Sequence, residues 1–473
     1  MLSFVLEKIK GKSFEELIVY IFSTFIVNFG NFFLIPFYWK KLTPTDYGII
    51  AIVEMMGVFF PILGGLSLSS AITRFYYEWP NEEKKENTGS LWILNWFSII
   101  SIGVIFIFII KLIFPFLFNR FEFSNMIFLG LVGMLLNSLG EFVFMTIRIN
   151  RQPKIYFIFN LMKFLLNIGF GLYFVVFLNQ KLRGYFLASV FTGLFFSVAC
   201  ILIMLKLSKP CIRSKVIKKS LDFSLPIVPS NIMGTLYSMI DKYILQNYVS
   251  LELFGIYSLS LKFVNLIGSL HNAIKLSYAP RIMKIDSKFK REMASKKIAQ
   301  INFQYIMLIF LGGLFVSLFT EKVVFLIGNE KYFPVIKYVP VLVAVFVLKY
   351  IYAYFASGII LSKKTKVFWK LTGVNLILLV ILSFLLIPKY QLNGIIMSKF
   401  ILFLFNLILS SYVSFKLYKI HNKIFLISIM YFVLASILFG SHFINFNFYI
   451  DIVLFLLYFL LTIYFIKSSM KKS

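Results

Sequence analysis

Charge is what this sequence has least of. Only 14% of its 473 residues are Asp, Glu, Lys or Arg, against about 25% in an average soluble domain, and a water-facing surface cannot be built without them. Acidic residues are scarcest, with 19 Asp and Glu against 48 Lys and Arg, for a net charge of +29. The two cysteines, Cys200 in an apolar run and Cys211 in a basic loop, are too few for a disulfide framework or a metal cluster, and both read as inert. The three histidines, His271, His421 and His442, form no paired metal motif. No Gly-rich phosphate loop ending in Lys-Ser/Thr occurs either. No cofactor is expected, and energy for any work should come from an ion gradient or from consumption of a substrate on the far side.

What is abundant is apolar: 60% of residues are hydrophobic, and the mean hydropathy is +0.88. Apolar runs recur from end to end, leaving no stretch for a soluble domain. A bilayer core of about 30 Å needs roughly 20 residues of helix, and continuous runs exclude the alternating pattern of a membrane barrel. The expected architecture is therefore an all-α polytopic membrane protein. Spans fall near 15–38, 47–70, 91–115, 125–148, 155–178, 184–206, 222–246, 254–279, 300–322, 335–361, 367–387, 391–416, 424–440 and 449–467, about fourteen in all. Lys8, Lys10 and Lys12 precede an apolar run, Leu17 to about Trp39, that is too long for a signal-peptide core and reads as a retained first helix.

The basic residues lie in short connections between runs, which fits membrane topology and anionic headgroups and not nucleic acid. With both termini inside, cytoplasmic segments hold about 31 Lys and Arg and external loops about 8. The largest contributors are the connections Lys206–Lys219 and Arg281–Lys297. An internal repeat is also visible. Leu42-Thr-Pro-Thr-Asp-Tyr-Gly48 and Val249-Ser-Leu-Glu-Leu-Phe-Gly255 are offset by about 207 residues, and the same offset carries Arg74 onto Arg281. Chance similarity in low-complexity apolar sequence is the alternative. On the repeat reading the chain has a six-helix bundle over 1–206, a basic cytoplasmic linker over 207–221, a second bundle over 222–416 and an additional two-helix segment over 417–473.

Several segments then resemble one family. Phe33-Leu-Ile-Pro36, the 42–48 motif and Ala71-Ile-Thr-Arg-Phe-Tyr-Tyr-Glu78 stand in the first half. Ser224-Leu-Pro-Ile-Val-Pro-Ser-Asn231, Asp241-Lys242, Phe254-Gly-Ile-Tyr257 and the stretch Gly328 to Phe333 stand in the second. Their order and spacing resemble the polysaccharide and O-antigen flippases (Wzx type) of the multidrug/oligosaccharidyl-lipid/polysaccharide exporter (MOP) superfamily, with a span count similar to that of the lipid II flippases. The resemblance implies two helical bundles around a central cationic lumen in a bacterial cytoplasmic membrane. It also implies alternating access on an undecaprenyl-pyrophosphate-linked oligosaccharide, with H+ or Na+ as coupling ion. Membrane lipids and other polysaccharide-assembly membrane proteins are the expected partners.

Ionisable groups inside spans are costly, by about 2.5–3.5 kcal/mol, and usually face a cavity or a partner. Glu54, Asp241 and Lys262 lie at similar expected depth and are candidates for coupling and gating, against a static ion pair that fixes packing. His271, Lys275, Lys349 and Lys399, with Lys262 and with Arg74 and Arg281 at the cytoplasmic mouth, are candidates for holding an anionic headgroup, since a pyrophosphate needs converging donors. For the two arginines a purely topogenic role is the alternative. Glu141 and Arg148, seven apart on one helix face, fit a pair that only buries charge. Pro226 and Pro229, and Gly57, Pro61, Gly64 and Gly65, are expected to bend spans seven and two. Two other functions remain open. One is a multidrug-type exporter of the same fold, whose lumen would favour acidic groups. The other is a membrane enzyme, such as a glycan polymerase or glycosyltransferase, which would need a larger catalytic loop.

Overall fold

The computed structural model describes residues 34–118, 123–327, 329–362, 364, 366–443 and 448–471. Nearly all of the expected first span lies outside them. The described chain is helical, with no strand among the described residues. In order the helices are α1 Ile35–Trp39, α2 Pro44–Gly57, α3 Leu68–Phe75, α4 Lys84–Leu117, α5 Asn125–Ser138, α6 Gly140–Ile149 and α7 Pro153–Gly171. Next come α8 Lys181–Leu207, α9 Ser214–Ser224, α10 Val228–Tyr248, α11 Leu251–Lys288, α12 Arg291–Ile327 and α13 Pro334–Phe355. The last are α14 Ser357–Leu361, α15 Lys366–Leu417, α16 Ile424–Phe443 and α17 Phe448–Lys471.

Among the described residues, nine helices are long and apolar enough to cross a membrane, and Ile424–Leu438 and Asp451–Ile466 are shorter apolar ones. The difference from fourteen has three sources. The first span is outside the described residues. The expected seventh is α10, which carries too many polar residues to count among the nine. The eleventh and twelfth are the two limbs of α15. Those limbs turn back at Gln391 (φ 52°, ψ −122°), three residues after Pro388. Ser398 on the second limb donates to the Leu382 carbonyl on the first at 3.1 Å, and a Cβ at Gly394 would stand 2.2 Å from Leu386 O. Glycine is what allows the limbs to close so tightly.

Two expectations need correction. The basic stretch 281–297 is mostly helix, because α11 runs to Lys288 and α12 starts at Arg291. Lys and Arg are good helix formers, so a charged segment outside the apolar core can extend a helix as easily as interrupt it. Span two is not one helix: α2 is followed by a π turn over Phe60–Gly64, and Leu66 and Ser67 take positive φ (48° and 53°) before α3 begins. Pro61 removes a backbone donor there, and Gly64 sits where a Cβ would come within 2.7 Å of the Ile99 Cα. At the expected bend in span seven, a 3-10 turn over Leu225–Ile227 separates α9 from α10.

The chain divides into two compact units, residues 1–239 and 240–473. In the first, α8 packs along α5 and α7, and α2 packs on α5. Its core joins Leu68 and Ile72 of α3, Leu91 and Trp92 of α4, Phe142 and Val143 of α6, and Phe196 and Cys200 of α8. Buried Cys200 is simply a core residue, whereas half-buried Cys211 donates to the Glu86 carbonyl at 3.2 Å. The linker at 208–213 lies on the start of α4, where Lys209 and Arg213 ion-pair with Glu86. In the second unit, α11, α12, α13 and α15 pack together, and α16 and α17 lie against α12 and α13. Lipid offers apolar side chains no drive to associate, so close packing and buried polar contacts must hold these helices. The last helix shows how: Asp451 of α17 pairs with Lys322 of α12 at 3.0 Å.

Candidate functional site

Among the described residues the buried Asp, His and Lys side chains, Asp241, His271, Lys399 and Asp451, all lie in the second unit. Asp241, fully buried on α10, forms an ion pair with Lys399 of α15, whose side chain is 10% exposed. Neither Asp241 oxygen is aligned for a regular hydrogen bond, so the contact is mainly one of charge. The Lys399 ammonium also lies 5.4 Å from the ring of Phe346 and 5.9 Å from that of Phe403. Lys349 of α13 approaches the same Phe346 ring at 5.5 Å and the ring of Tyr350 at 5.8 Å. Unlike Lys399 it is exposed, and among the described residues it has no ion-pair partner within 4.0 Å. Asp241, Lys242 and Lys399 are the charges that act on it. One carboxylate thus faces at least two ammoniums, and it is already committed to one of them.

His271 of α11 extends this cluster. It is buried, under the electrostatic influence of Lys275 and Lys349. Its ring lies 5.1 Å from Tyr350 and 5.7 Å from Tyr354, and its Nδ1 is 3.4 Å from the Tyr354 hydroxyl. Tyr354 packs edge-on against Tyr278 at 5.0 Å, and the Tyr278 hydroxyl donates to Asn302 at 2.6 Å. Asn302 in turn donates to the Tyr354 carbonyl at 3.0 Å and to Asn422 at 2.8 Å. A polar ladder therefore runs from the lysines toward the ends of α11 and α15. There Tyr418 donates to Asp286 at 2.5 Å, and burial together with that carboxylate pushes its phenol up to about 12.

Of the residues expected from sequence, Asp241, Lys349, Lys399, His271 and Lys275 come together in this unit. Lys262 is half-buried on α11, and exposed Arg281 lies on the same helix. Glu54 is half-buried on α2 of the first unit. Arg74 is exposed and ion-paired with Glu78, which also lies 3.8 Å from Lys219. Asp241 meets Lys399, a residue the sequence placed in the anion path. The expected pairing of Glu141 with Arg148 does not form as an ion pair. Arg148 stacks instead 5.9 Å from the Tyr156 ring.

The sequence reading passed over Asp451 and the tyrosine ladder. Asp451, an acidic residue at the head of an apolar run, carried the same signal as Asp241. Tyr350 and Tyr354 stand four apart on one helix face, but nothing marks them among 26 tyrosines.

Long apolar helices in two units form a fold that is similar to those of solved membrane transporters. The lipid II flippase MurJ in an inward closed conformation aligns with a TM-score of 0.61 at 14% identity, covering 95% of this chain and 96% of that one. The Vibrio cholerae MATE transporter VcmN gives 0.57 at 14% identity, over 86% and 96%. A MOP superfamily transporter from Pyrococcus furiosus gives 0.56 at 14%, over 86% and 96%. Residues 41–276 match the family described as polysaccharide biosynthesis protein. The capsular polysaccharide biosynthesis protein CapF of Staphylococcus aureus is 28% identical over 186 residues, 37% of this chain and 45% of that protein. The chain thus spans less than half the length of that curated relative. The chain shares the fold of these transporters and, over residues 41–276, is similar to the polysaccharide biosynthesis family.

Proposed function

We propose that this protein flips an undecaprenyl-pyrophosphate-linked oligosaccharide from the cytoplasmic to the outer leaflet by alternating access, with both termini on the cytoplasmic side. The observation that carries this reading is Lys349, with no ion-pair partner of its own among the described residues, on an apolar helix beside the Asp241–Lys399 pair. A cation there is unfavourable by itself, and an anionic headgroup would satisfy it. The flippase and polysaccharide-biosynthesis relatives support a transporter over a membrane enzyme. The cationic cluster favours an anionic cargo over the cationic compounds of a multidrug-type exporter. In this reading Lys349, Lys275 and His271 meet the diphosphate. Asp241 holds Lys399 until the headgroup competes for it, and Lys262 and Arg281 are further cations of the same unit; in the first unit Glu54 is a coupling candidate and Arg74 a cation for the headgroup.

Flipping of a lipid-linked sugar in proteoliposomes tests this, with a neutral-headgroup lipid as control. Lys349→Gln should lower transport about ten-fold or more, a loss of one charge-assisted contact of roughly 1.5–3 kcal/mol. Lys349→Arg should retain more because the charge is kept. Equal rates for the wild type and both variants would defeat the proposal. Single-cysteine labelling at Lys215 and Lys290 from inside, and at Thr45 and Asn329 from outside, tests the orientation.

A further inference from the structure

The basic linker reads in the sequence as a solvated connection, since Lys206, Lys209, Arg213, Lys215, Lys218 and Lys219 crowd into one short stretch. In the structure it is fastened to the first turns of α4 by its backbone. Lys209 N donates to the Lys85 carbonyl at 3.0 Å, and Arg213 N donates to the Ser90 hydroxyl at 3.1 Å. Between them, Cys211 Sγ donates to the Glu86 carbonyl and lies 3.4 Å from Ser90 Oγ. Ser90 is fully buried. Gly89 is what admits so close an approach: a Cβ there would overlap the Lys209 carbonyl oxygen, a backbone atom that cannot swing aside.

Charge closes the same contact from outside. Arg213 pairs with Glu83 at 3.0 Å and with Glu86, and it donates to Asn87 Oδ1 at 3.2 Å. Lys209 pairs with Glu86 at 2.9 Å. α9 continues the attachment. Its Phe223 packs edge-on against Phe75 at 5.3 Å, Lys219 lies 4.5 Å from the same ring, and Val216 and Leu221 pack against the core of the first unit. Next along the chain comes the 3-10 turn over Leu225–Ile227, where Leu225 and Pro226 are exposed and Pro226 has no backbone donor. A little further on, a Cβ at Gly234 would meet no atom within 4 Å.

We propose that residues 208–224 form a clasp that stays closed, so that this stretch moves as part of the first unit and the chain pivots at the turn over Leu225–Ile227. A hinge is made of a few residues at the end of an element that can absorb a change of φ and ψ. The bonds to α4 deny that freedom to the linker, and the exposed turn keeps it. The clasp is a property of the first unit alone, and only the transport arm of its test rests on the flippase reading.

Ser90→Cys sets a second thiol beside Cys211, and a mild oxidant should join the two, because the side-chain tips already touch. The linked protein, verified by thiol counting, should flip a lipid-linked sugar within about two-fold of the wild-type rate, oxidised or reduced. Transport lost on oxidation and regained on reduction would overturn the proposal, since the linker would then have to leave α4 in each cycle. So would failure of the disulfide to form. The other arm needs no transport. In the purified full-length protein, maleimide labelling of Cys211 should be about ten-fold or more faster in Gly89→Leu than in the wild type. Ile212→Cys, at a position 74% exposed, sets the rate of an open thiol. The double variant Glu86→Gln/Arg213→Gln spares the glycine, covers the case in which Gly89→Leu folds poorly, and should also speed labelling. Wild-type Cys211 labelling as fast as Ile212→Cys would overturn the proposal. A protein that flips nothing yet keeps Cys211 protected would defeat the flippase reading and leave the clasp standing.

Discussion

The two units begin their second spans alike and continue them differently. Thr43 caps α2: its hydroxyl accepts from Asp46 N at 3.2 Å, and the Asp46 carboxylate accepts from Thr43 N at 2.7 Å. Ser250, 207 residues later, caps α11 by accepting from Leu253 N at 3.2 Å. The shared motif is therefore a shared helix start, with two backbone donors satisfied by the capping box at α2 and one by Ser250 at α11. Beyond it the helices diverge. α2 gives way to the π turn that holds Pro61 and Gly64 and to the positive φ of Leu66 and Ser67. Gly268 and His271 occupy the places of Pro61 and Gly64 in α11, which runs unbroken for 38 residues. The broken helix frees backbone carbonyls, which Asn95 and Ser98 of α4 partly satisfy, and a cavity of mixed polar and apolar lining lies beside it. The continuous helix can instead line up His271, Lys275 and Tyr278 on one face. On the repeat reading, the two copies share the start of a helix and differ in the chemistry that follows it.

The comparison breaks most decisively at the buried ion pair. Asp241→Asn should leave the Lys399 ammonium buried and unpaired and destabilise the protein by about 3–5 kcal/mol. The double variant Asp241→Asn/Lys399→Gln should recover much of the loss in thermal unfolding. If the single and double variants unfold together, the pair contributes nothing to packing.

Helix closeness should give the next largest effect. Gly64→Ala drives a methyl group toward the Ile99 backbone, at 2.7 Å from its Cα, and should cost about 1–3 kcal/mol. Gly268→Ala, at the position matching Pro61, meets only the Tyr350 hydroxyl, the tip of a side chain that can swing away, at 2.5 Å. It should cost less. A reversed order of melting temperatures would show that the broken span yields more easily than the continuous one.

The caps sharpen the likeness between the units. Thr43→Ala should cost about 1 kcal/mol, and Ser250→Ala somewhat less, because only Thr43 takes part in a reciprocal capping box. Arg74→Ala, which removes an exposed ion pair, should change stability by under about 1 kcal/mol. A clear loss of transport in that variant, at unchanged Tm, would assign Arg74 to the cargo route.

The sequence by itself determined the class and much of the candidate site. Apolar runs of bilayer length leave helices as the only structure that satisfies its own backbone, so spans could be placed without any knowledge of packing. The cost of charge in hydrocarbon singled out Asp241, Lys349 and Lys399 one at a time. Pro61 and Gly64 announced a bend, because a missing donor and a missing Cβ are local facts.

Partnership was decided only by the tertiary structure. Asp241 and Lys399 are 158 residues apart, on helices whose adjacency follows from how side chains fill space and not from any spacing along the chain. The same holds for Lys322 with Asp451, and for the ladder from His271 to Asn422. Glu141 and Arg148 show the converse. They share a helix face by arithmetic, yet they form no ion pair, and Arg148 and Lys163 lie against the rings of Tyr156 and Phe196. Helix periodicity fixes which residues share a face, and only the neighbouring helices fix what that face meets.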